Sequence, residues 1–274
     1  MSTQELIELY EKGESIAGLS RLSGLTTYMV KKILVDNKVK VRTRAEQNVI
    51  TNMSRKRPVD ETYFSNIDTY NKGWVLGFLM ADGTVRDDRN EIKIGLSSVD
   101  KEILEKIKKE LKISQNIYDT TTQNGFNVSE LRWSSQQQKK DLAKYGIVNR
   151  KTYLESHLPL FEDKKITLAF ILGFFDGDGS FSANGKYCRF RLCAHRPELL
   201  QDIATFLSNE YNSSYSLSQD NRGVWELSFS TNTAKQILTE AYNLNSIRLD
   251  RKYQKYLEYI NHETMTSDKD EKLC

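Results

Sequence analysis

Apolar positions fall at helical spacing in three short stretches near the start of the chain. Leu6, Ile7, Leu9 and Tyr10 line one face of the first, and Ile16, Leu19 and Leu22 line the second. Gly24 breaks the chain. Thr26 can cap a third helix whose inward face is Met29, Val30, Ile33 and Leu34. Residues 45–62 lose this periodicity and carry Arg55, Lys56 and Arg57 before Pro58, so they read as a linker with basic groups for phosphates. From residue 63 the pattern becomes richer. Two strongly apolar helical runs, Val75 to Met80 and Leu168 to Phe175, each end in Asp-Gly and are each followed by strands of alternating polarity.

These two runs belong to an internal repeat. "VLGFLMADGTV" (75–85) matches "ILGFFDGDGSF" (171–181) at a constant offset of 96. At that offset Leu96 also pairs with Leu192, Leu104 with Leu200, Ile107 with Ile203, Leu131 with Leu227 and Leu142 with Leu238. Each copy reads as α-β-β-α-β-β-α with helices on one sheet face. Ile92, Ile94 and Leu96 oppose Lys93, Gly95 and Ser97; Phe190, Leu192 and Ala194 oppose Arg189, Arg191 and Cys193. The polar sheet face gathers Thr84, Arg86, Lys93 and Arg132 in copy one, and Ser180, Ser182, Arg189 and Arg191 in copy two. The expected fold class is α+β. An all-α domain (1–44) and linker (45–62) precede subdomains at 63–158 and 159–262, and an acidic tail (263–274) follows.

Charge adds a partner to this picture. Residues 1–59 carry a balance of +5 and residues 60–274 a balance of −2. A basic module on a near-neutral body, and a sheet face that collects Arg and Lys twice, point to a polyanion. Helix, short Gly-containing turn, helix is helix-turn-helix spacing. Thr27, Tyr28, Lys31 and Lys32 on the third helix would then meet base edges and phosphates in a major groove. A plain three-helix bundle with a charged surface fits the same pattern. The apolar runs are too short for a bilayer span, and no secretory leader is evident. Cys188, Cys193 and Cys274 are sparse and without zinc-like spacing, which suits reduced thiols in a cytoplasmic protein.

The motifs at 75–83 and 171–179 resemble those of the LAGLIDADG homing endonucleases, in the single-chain, two-motif form found in bacteria and phage. The resemblance covers roughly residues 60–260, including "YGIVNRKTYLESHLP" and "AYNLNSIRLDRKYQKYLEYI". It implies that the motif helices pack on a pseudo-twofold axis, with Gly77 and Gly173 letting the backbones approach. The final acids, Asp82 and Asp178, then lie side by side as catalytic residues and ligands of Mg²⁺ or another divalent cation such as Mn²⁺. Two adjacent carboxylates repel unless a cation binds between them, and hard cations prefer oxygen ligands. By the same resemblance the carbonyls of Ala81 and Gly177 are further ligands, and Lys151 and Lys252 contact the DNA backbone. Asp176 faces Met80 across the repeat and is expected to be structural.

The polar-face residues Arg86, Lys93, Arg132, Arg189 and Arg191, with His195 after the second sheet strand, complete the expected DNA contacts. The implied activity is site-specific double-strand cutting by a monomer on a long pseudo-symmetric duplex. A non-catalytic DNA-binding regulator and an intron RNA maturase stand as alternatives. An intein is not expected, since the chain starts at Met1 and ends in "SDKDEKLC".

Overall fold

The computed structural model describes residues 1–55 and 58–271, with side chains described for 1–51 and 58–262. The chain divides into two compact units, Met1–Pro58 and Val59–Cys274.

The first unit holds α1 (Thr3–Glu11), α2 (Ile16–Ser23), α3 (Thr27–Asp36) and α4 (Arg44–Arg55). Leu6, Tyr10, Leu19, Val30 and Leu34 are its buried core. Gly24 closes α2 in the left-handed conformation at φ 73°, which a glycine adopts without steric cost. Thr26 caps α3 by accepting from Met29 N at 3.2 Å. Two inward assignments change: Leu22 is 64% and Met29 48% exposed, because the five-residue core is already closed by Leu19, Val30 and Leu34. Arg42, in the basic segment after α3, serves the fold. Its guanidinium donates to the carbonyls of Tyr10 and Glu14 and lies 3.8 Å over the Tyr10 ring.

The expected linker contains a helix, α4. Thr43 and Glu46 form a reciprocal capping box, with Glu46 N donating to Thr43 Oγ1 at 3.2 Å and Thr43 N to Glu46 Oε2 at 2.7 Å. "TRAE" was the available signal. Gln47 donates to Gly13 O, tying α4 to the turn between α1 and α2. Thr43→Ala is expected to lower the stability of this unit by about 1 kcal/mol, read as faster amide exchange along residues 44–51. Unchanged protection would contradict the capping role. Lys56, Arg57 and the side chain of Arg55 lie outside the described residues, as do the side chains of the acidic tail.

The second unit contains the repeat. Copy one runs α5 (Tyr70–Asp82), β1 (Gly83–Val85), β2 (Glu91–Ser97), α6 (Lys101–Glu110), β3 (Tyr118–Thr121), β4 (Asn127–Ser134) and α7 (Gln136–Ala143). Copy two runs α8 (Lys164–Asp178), β5 (Gly179–Asn184), β6 (Tyr187–Ala194), α9 (Glu198–Tyr211), β7 (Ser216–Gln219), β8 (Trp225–Ser230) and α10 (Thr231–Asn243). A last helix, α11 (Asp250–Glu271), carries helical backbone into the segment expected as a tail. The antiparallel sheets have equivalent orders, β1-β2-β4-β3 and β5-β6-β8-β7. Among the described residues no helix is long and apolar enough to cross a membrane.

The strand register corrects the repeat. Gly83 pairs with Ile94, but Gly179 pairs with Leu192. Ile94 in turn faces Leu131, and Leu192 faces Leu227. The partner of Leu192 is therefore Ile94, not Leu96, and β2 maps onto β6 at an offset of 98. The motif helices and strands β1 and β4 keep 96, whereas the edge strand β3 maps onto β7 at 100. Two extra residues in the β5–β6 hairpin are taken back before α9, so the helix matches Leu104–Leu200 and Ile107–Ile203 survive as buried pairs. Lys93 thus corresponds to Arg191, and Gly95 to Cys193.

Candidate active site at the helix seam

α5 and α8 are apolar all round because each is buried on every side; Trp74 to Met80 and Ile166 to Asp176 are buried without interruption. Their contact is close enough to need glycine. A Cβ on Gly77 would stand 1.9 Å from Phe170 O, and one on Gly173 would stand 1.9 Å from Trp74 O. Residues 74 and 170 are themselves repeat partners, so the seam is twofold-symmetric in its backbone. One polar pair breaks that symmetry. Trp74 Nε1 donates to buried Asp176 Oδ2 at 2.9 Å, and Leu249 N donates to the same oxygen at 2.9 Å. Burial raises the Asp176 carboxyl to about 7 against the pull of those donors. Its part is structural, as its mismatch with Met80 indicated.

The two helices end together, and Asp82 and Asp178 are their last residues. Gly177 leaves the room: a Cβ there would lie 3.0 Å from Asp82 Oδ2 and 2.3 Å from Ala81 Cβ. Asp82 is half-buried. Asp178 is exposed on one side, at a cavity of about 170 Å³ lined also by Met80, Ala81, Lys151, Cys193 and His195. Burial first, then the Asp178 charge, pushes Asp82 up to about 6. Burial also raises Asp178, with Lys151, Lys252 and His195 pulling the other way.

The lysines sit differently from the expected DNA contacts. Lys151 Nζ donates to Ala81 O at 3.0 Å and Gly83 O at 2.6 Å. Lys252 Nζ donates to the carbonyls of Phe175 (2.6 Å), Asp176 (2.9 Å), Gly177 (3.4 Å) and Gly179 (2.6 Å). The physical reason is the end of a helix, where carbonyls lack intrahelical partners and the dipole favours a cation. Burial lowers both ammonium groups, Lys252 to about 8. Their shared "RK" context (150–151 and 251–252) marked them as a pair, but nothing in the sequence showed which way they point.

This constellation fits a hard divalent cation. Among the described residues neither Asp82 nor Asp178 accepts a hydrogen bond from a protein side chain or amide, so the oxygens of both carboxylates are free to bind a cation. The expected carbonyl ligands are less free, since Ala81 O and Gly177 O already receive lysine donors. No group of three or more His, Cys, Asp or Glu side chains gathers around a metal position among the described residues. The protein's share would be the two carboxylates and a remaining carbonyl lone pair.

The other predicted residues lie on the sheet faces or the first unit. Thr27, Tyr28, Lys31 and Lys32 are all exposed on α3, Tyr28 at 74%. Thr84, Lys93 and Arg132 form one cross-strand row, and Ser180, Arg191 and Ser228 form its counterpart. Arg86 pairs with Asp88 at 2.8 Å beside that row. Arg189 is exposed at the hairpin end of β6. His195 is exposed, with its ring 5.9 Å from that of Tyr153.

The LAGLIDADG-like domain family matches residues 69–146 and 165–261, one match for each copy. The chain belongs to the LAGLIDADG family. Similar solved structures include the LAGLIDADG meganuclease I-AabMI bound to uncleaved DNA (17% identity, TM-score 0.47), covering 71% of this chain and 91% of that one. The I-LtrWI LAGLIDADG homing endonuclease bound to target DNA gives 13% and 0.47, covering 74% and 92%. The N-terminal LAGLIDADG domain of DUF199/WhiA gives 16% and 0.44, covering 72% and 92%. The DNA-directed RNA polymerase subunit Rpo1C of Methanocaldococcus jannaschii is 28% identical over 141 residues, 51% of this chain. The chain spans only 16% of the length of that curated relative.

The LAGLIDADG seam makes a pH-dependent prediction. A carboxyl whose folded pKa is raised destabilises the fold once ionised. The penalty is absent below the unfolded value near 4, grows as pH rises to about 6, and is constant above. Discounted for partial exposure, Asp82 accounts for about 1–2 kcal/mol. In EDTA, Asp82→Asn is therefore expected to be more stable than wild type by that amount at pH 7 and equal to it at pH 4. Urea midpoints at the two pH values check this; a less stable variant at pH 7 would contradict it.

Proposed function

We propose that this LAGLIDADG protein is a site-specific double-strand DNA endonuclease acting as a monomer with Mg²⁺ or Mn²⁺. The carrying observation is the pair Asp82 and Asp178: two donor-free carboxylates brought to one point by a symmetric seam, each followed directly by a strand of a basic-rimmed sheet. A cation held there would activate water and offset charge on the leaving oxygen of a phosphodiester. The chain itself holds the acids together, keeps their pKa values high enough for a cation to matter, and clamps the helix ends with Lys151 and Lys252. One acid from each copy suits one cut in each strand. Arg86, Lys93, Arg132, Arg189, Arg191 and His195 are proposed to face a long pseudo-symmetric duplex, with phosphate contacts giving affinity and base contacts giving specificity.

The first unit is proposed to bind a further stretch of duplex as a helix-turn-helix, through Thr27, Tyr28, Lys31 and Lys32. An intracellular location goes with this reading. The test is direct. Full-length chain, Mg²⁺ and a randomised duplex library should yield cleaved molecules sharing one long site, and EDTA should stop the reaction. Selective binding without cleavage in any divalent cation would favour the regulator alternative, for which the lysine-occupied carbonyls of Ala81 and Gly177 speak.

A further inference from the structure

The two polar sheet faces are equivalent in position but not in charge pairing. In copy one a carboxylate sits among the cations. Glu130 Oε1 accepts from Lys93 Nζ at 2.9 Å, and Glu130 Oε2 accepts from Arg132 Nε at 2.9 Å and also from its Nη2. The Glu130 side chain is 13% exposed, and the two cations hold its carboxyl below its ordinary value. Arg86 is likewise paired, with Asp88. In copy two no such clamp forms among the described residues. Among the described residues Arg189 has no acidic partner, and Arg191 donates to Ser182 Oγ at 2.9 Å instead.

The sequence supplies the reason. Glu130 stands opposite Gly95, and its carboxylate lies across that residue, 3.5 Å from where a Cβ would be. In copy two Glu226 stands opposite Cys193, which carries a side chain where Gly95 has none. Arg132 is replaced there by Ser228, so one of the two cations is missing as well.

We propose that the two faces divide the work of binding a duplex. The β5–β8 face, through Arg189 and Arg191, supplies uncompensated charge to phosphates. The β1–β4 face reads base edges with Arg132 and Lys93, and Glu130 is the positioning residue that makes this selective. This rests on the reading of the chain as a DNA-binding protein. An arginine reads guanine through a planar two-donor fork. Holding that fork from behind removes its freedom to wander, and a neighbouring carboxylate repels phosphates, so a clamped arginine is poor at non-specific binding. A free arginine on the other face does the reverse.

The experiment is selection from a randomised duplex library by the full chain in EDTA, with binding measured against salt. Glu130→Gln keeps the shape and removes the charge. It is expected to strengthen binding to random duplex about tenfold, steepen the salt dependence by about one unit of slope, and flatten the base preference at positions on one side of the site centre. Arg132→Lys keeps the charge but loses the fork, and is expected to flatten the same positions with affinity for random duplex held within about twofold. Arg189→Ala is expected to weaken all sequences alike and lower the slope by about one. Unaltered base preference in both Glu130→Gln and Arg132→Lys, in chains that still bind DNA, would overturn the division of labour. Absence of any duplex binding by the unaltered chain would overturn the reading beneath it as well.

Discussion

Asp82→Asn and Asp178→Asn are each expected to abolish double-strand cutting, by a factor of 10³ or more, while duplex affinity stays within a few-fold of wild type. Each substitution keeps size and removes the negative charge that a cation needs. Neither carboxylate holds a protein hydrogen bond among the described residues, so its loss leaves no orphaned donor. The fold should tolerate both changes, and Asp82→Asn should gain stability at neutral pH because its burial penalty disappears. Loss of cutting with retained or raised stability would mark the acids as functional rather than structural. Full cutting by both variants would end the mechanism. The pH profile of cutting in wild type should rise through about 6 as Asp82 gives up its proton.

The second large effect is on the seam. Gly77→Ala or Gly173→Ala is expected to destabilise the second unit by at least about 3 kcal/mol. The added methyl would overlap a main-chain carbonyl of the opposite helix at 1.9 Å, and a backbone atom cannot swing aside as a side chain can. Helix separation would also pull Asp82 from Asp178, so cutting should fall with stability. Gly95→Ala is the matched control, since its Cβ meets only the Glu130 side chain at ordinary contact distance. It should change stability by less than about 1 kcal/mol. Equal urea midpoints for Gly77→Ala and wild type would mean that the helices are not in backbone contact.

Much of this was legible because the determinants are local or repeated. Alternating strands, all-apolar motif helices and a constant offset carried the αββαββα order, and the meeting of Asp82 with Asp178 was implied by the resemblance to LAGLIDADG proteins. Three things were not legible. The two-residue shift in β6 is hidden because Leu192 matches Leu96 and Ile94 equally well in type; only hydrogen-bond register tells them apart. The inward turn of Lys151 and Lys252 depends on which carbonyls a helix end leaves open, which is a tertiary fact. The pairing of Lys93 and Arg132 with Glu130 joins two strands far apart in sequence through the gap at Gly95. The helix at Arg44–Arg55, by contrast, was announced by its capping box, and its weak apolar pattern concealed it.

The most direct measurement is Mn²⁺ binding at the seam, followed by electron paramagnetic resonance on the full chain with its selected duplex. Wild type should take up Mn²⁺ saturably at pH 7 and more weakly at pH 5, where Asp82 is protonated. The Asp82→Asn, Asp178→Asn double variant should lose that uptake while still holding the duplex. Equal Mn²⁺ uptake by wild type and double variant would contradict a cation site built on these two carboxylates.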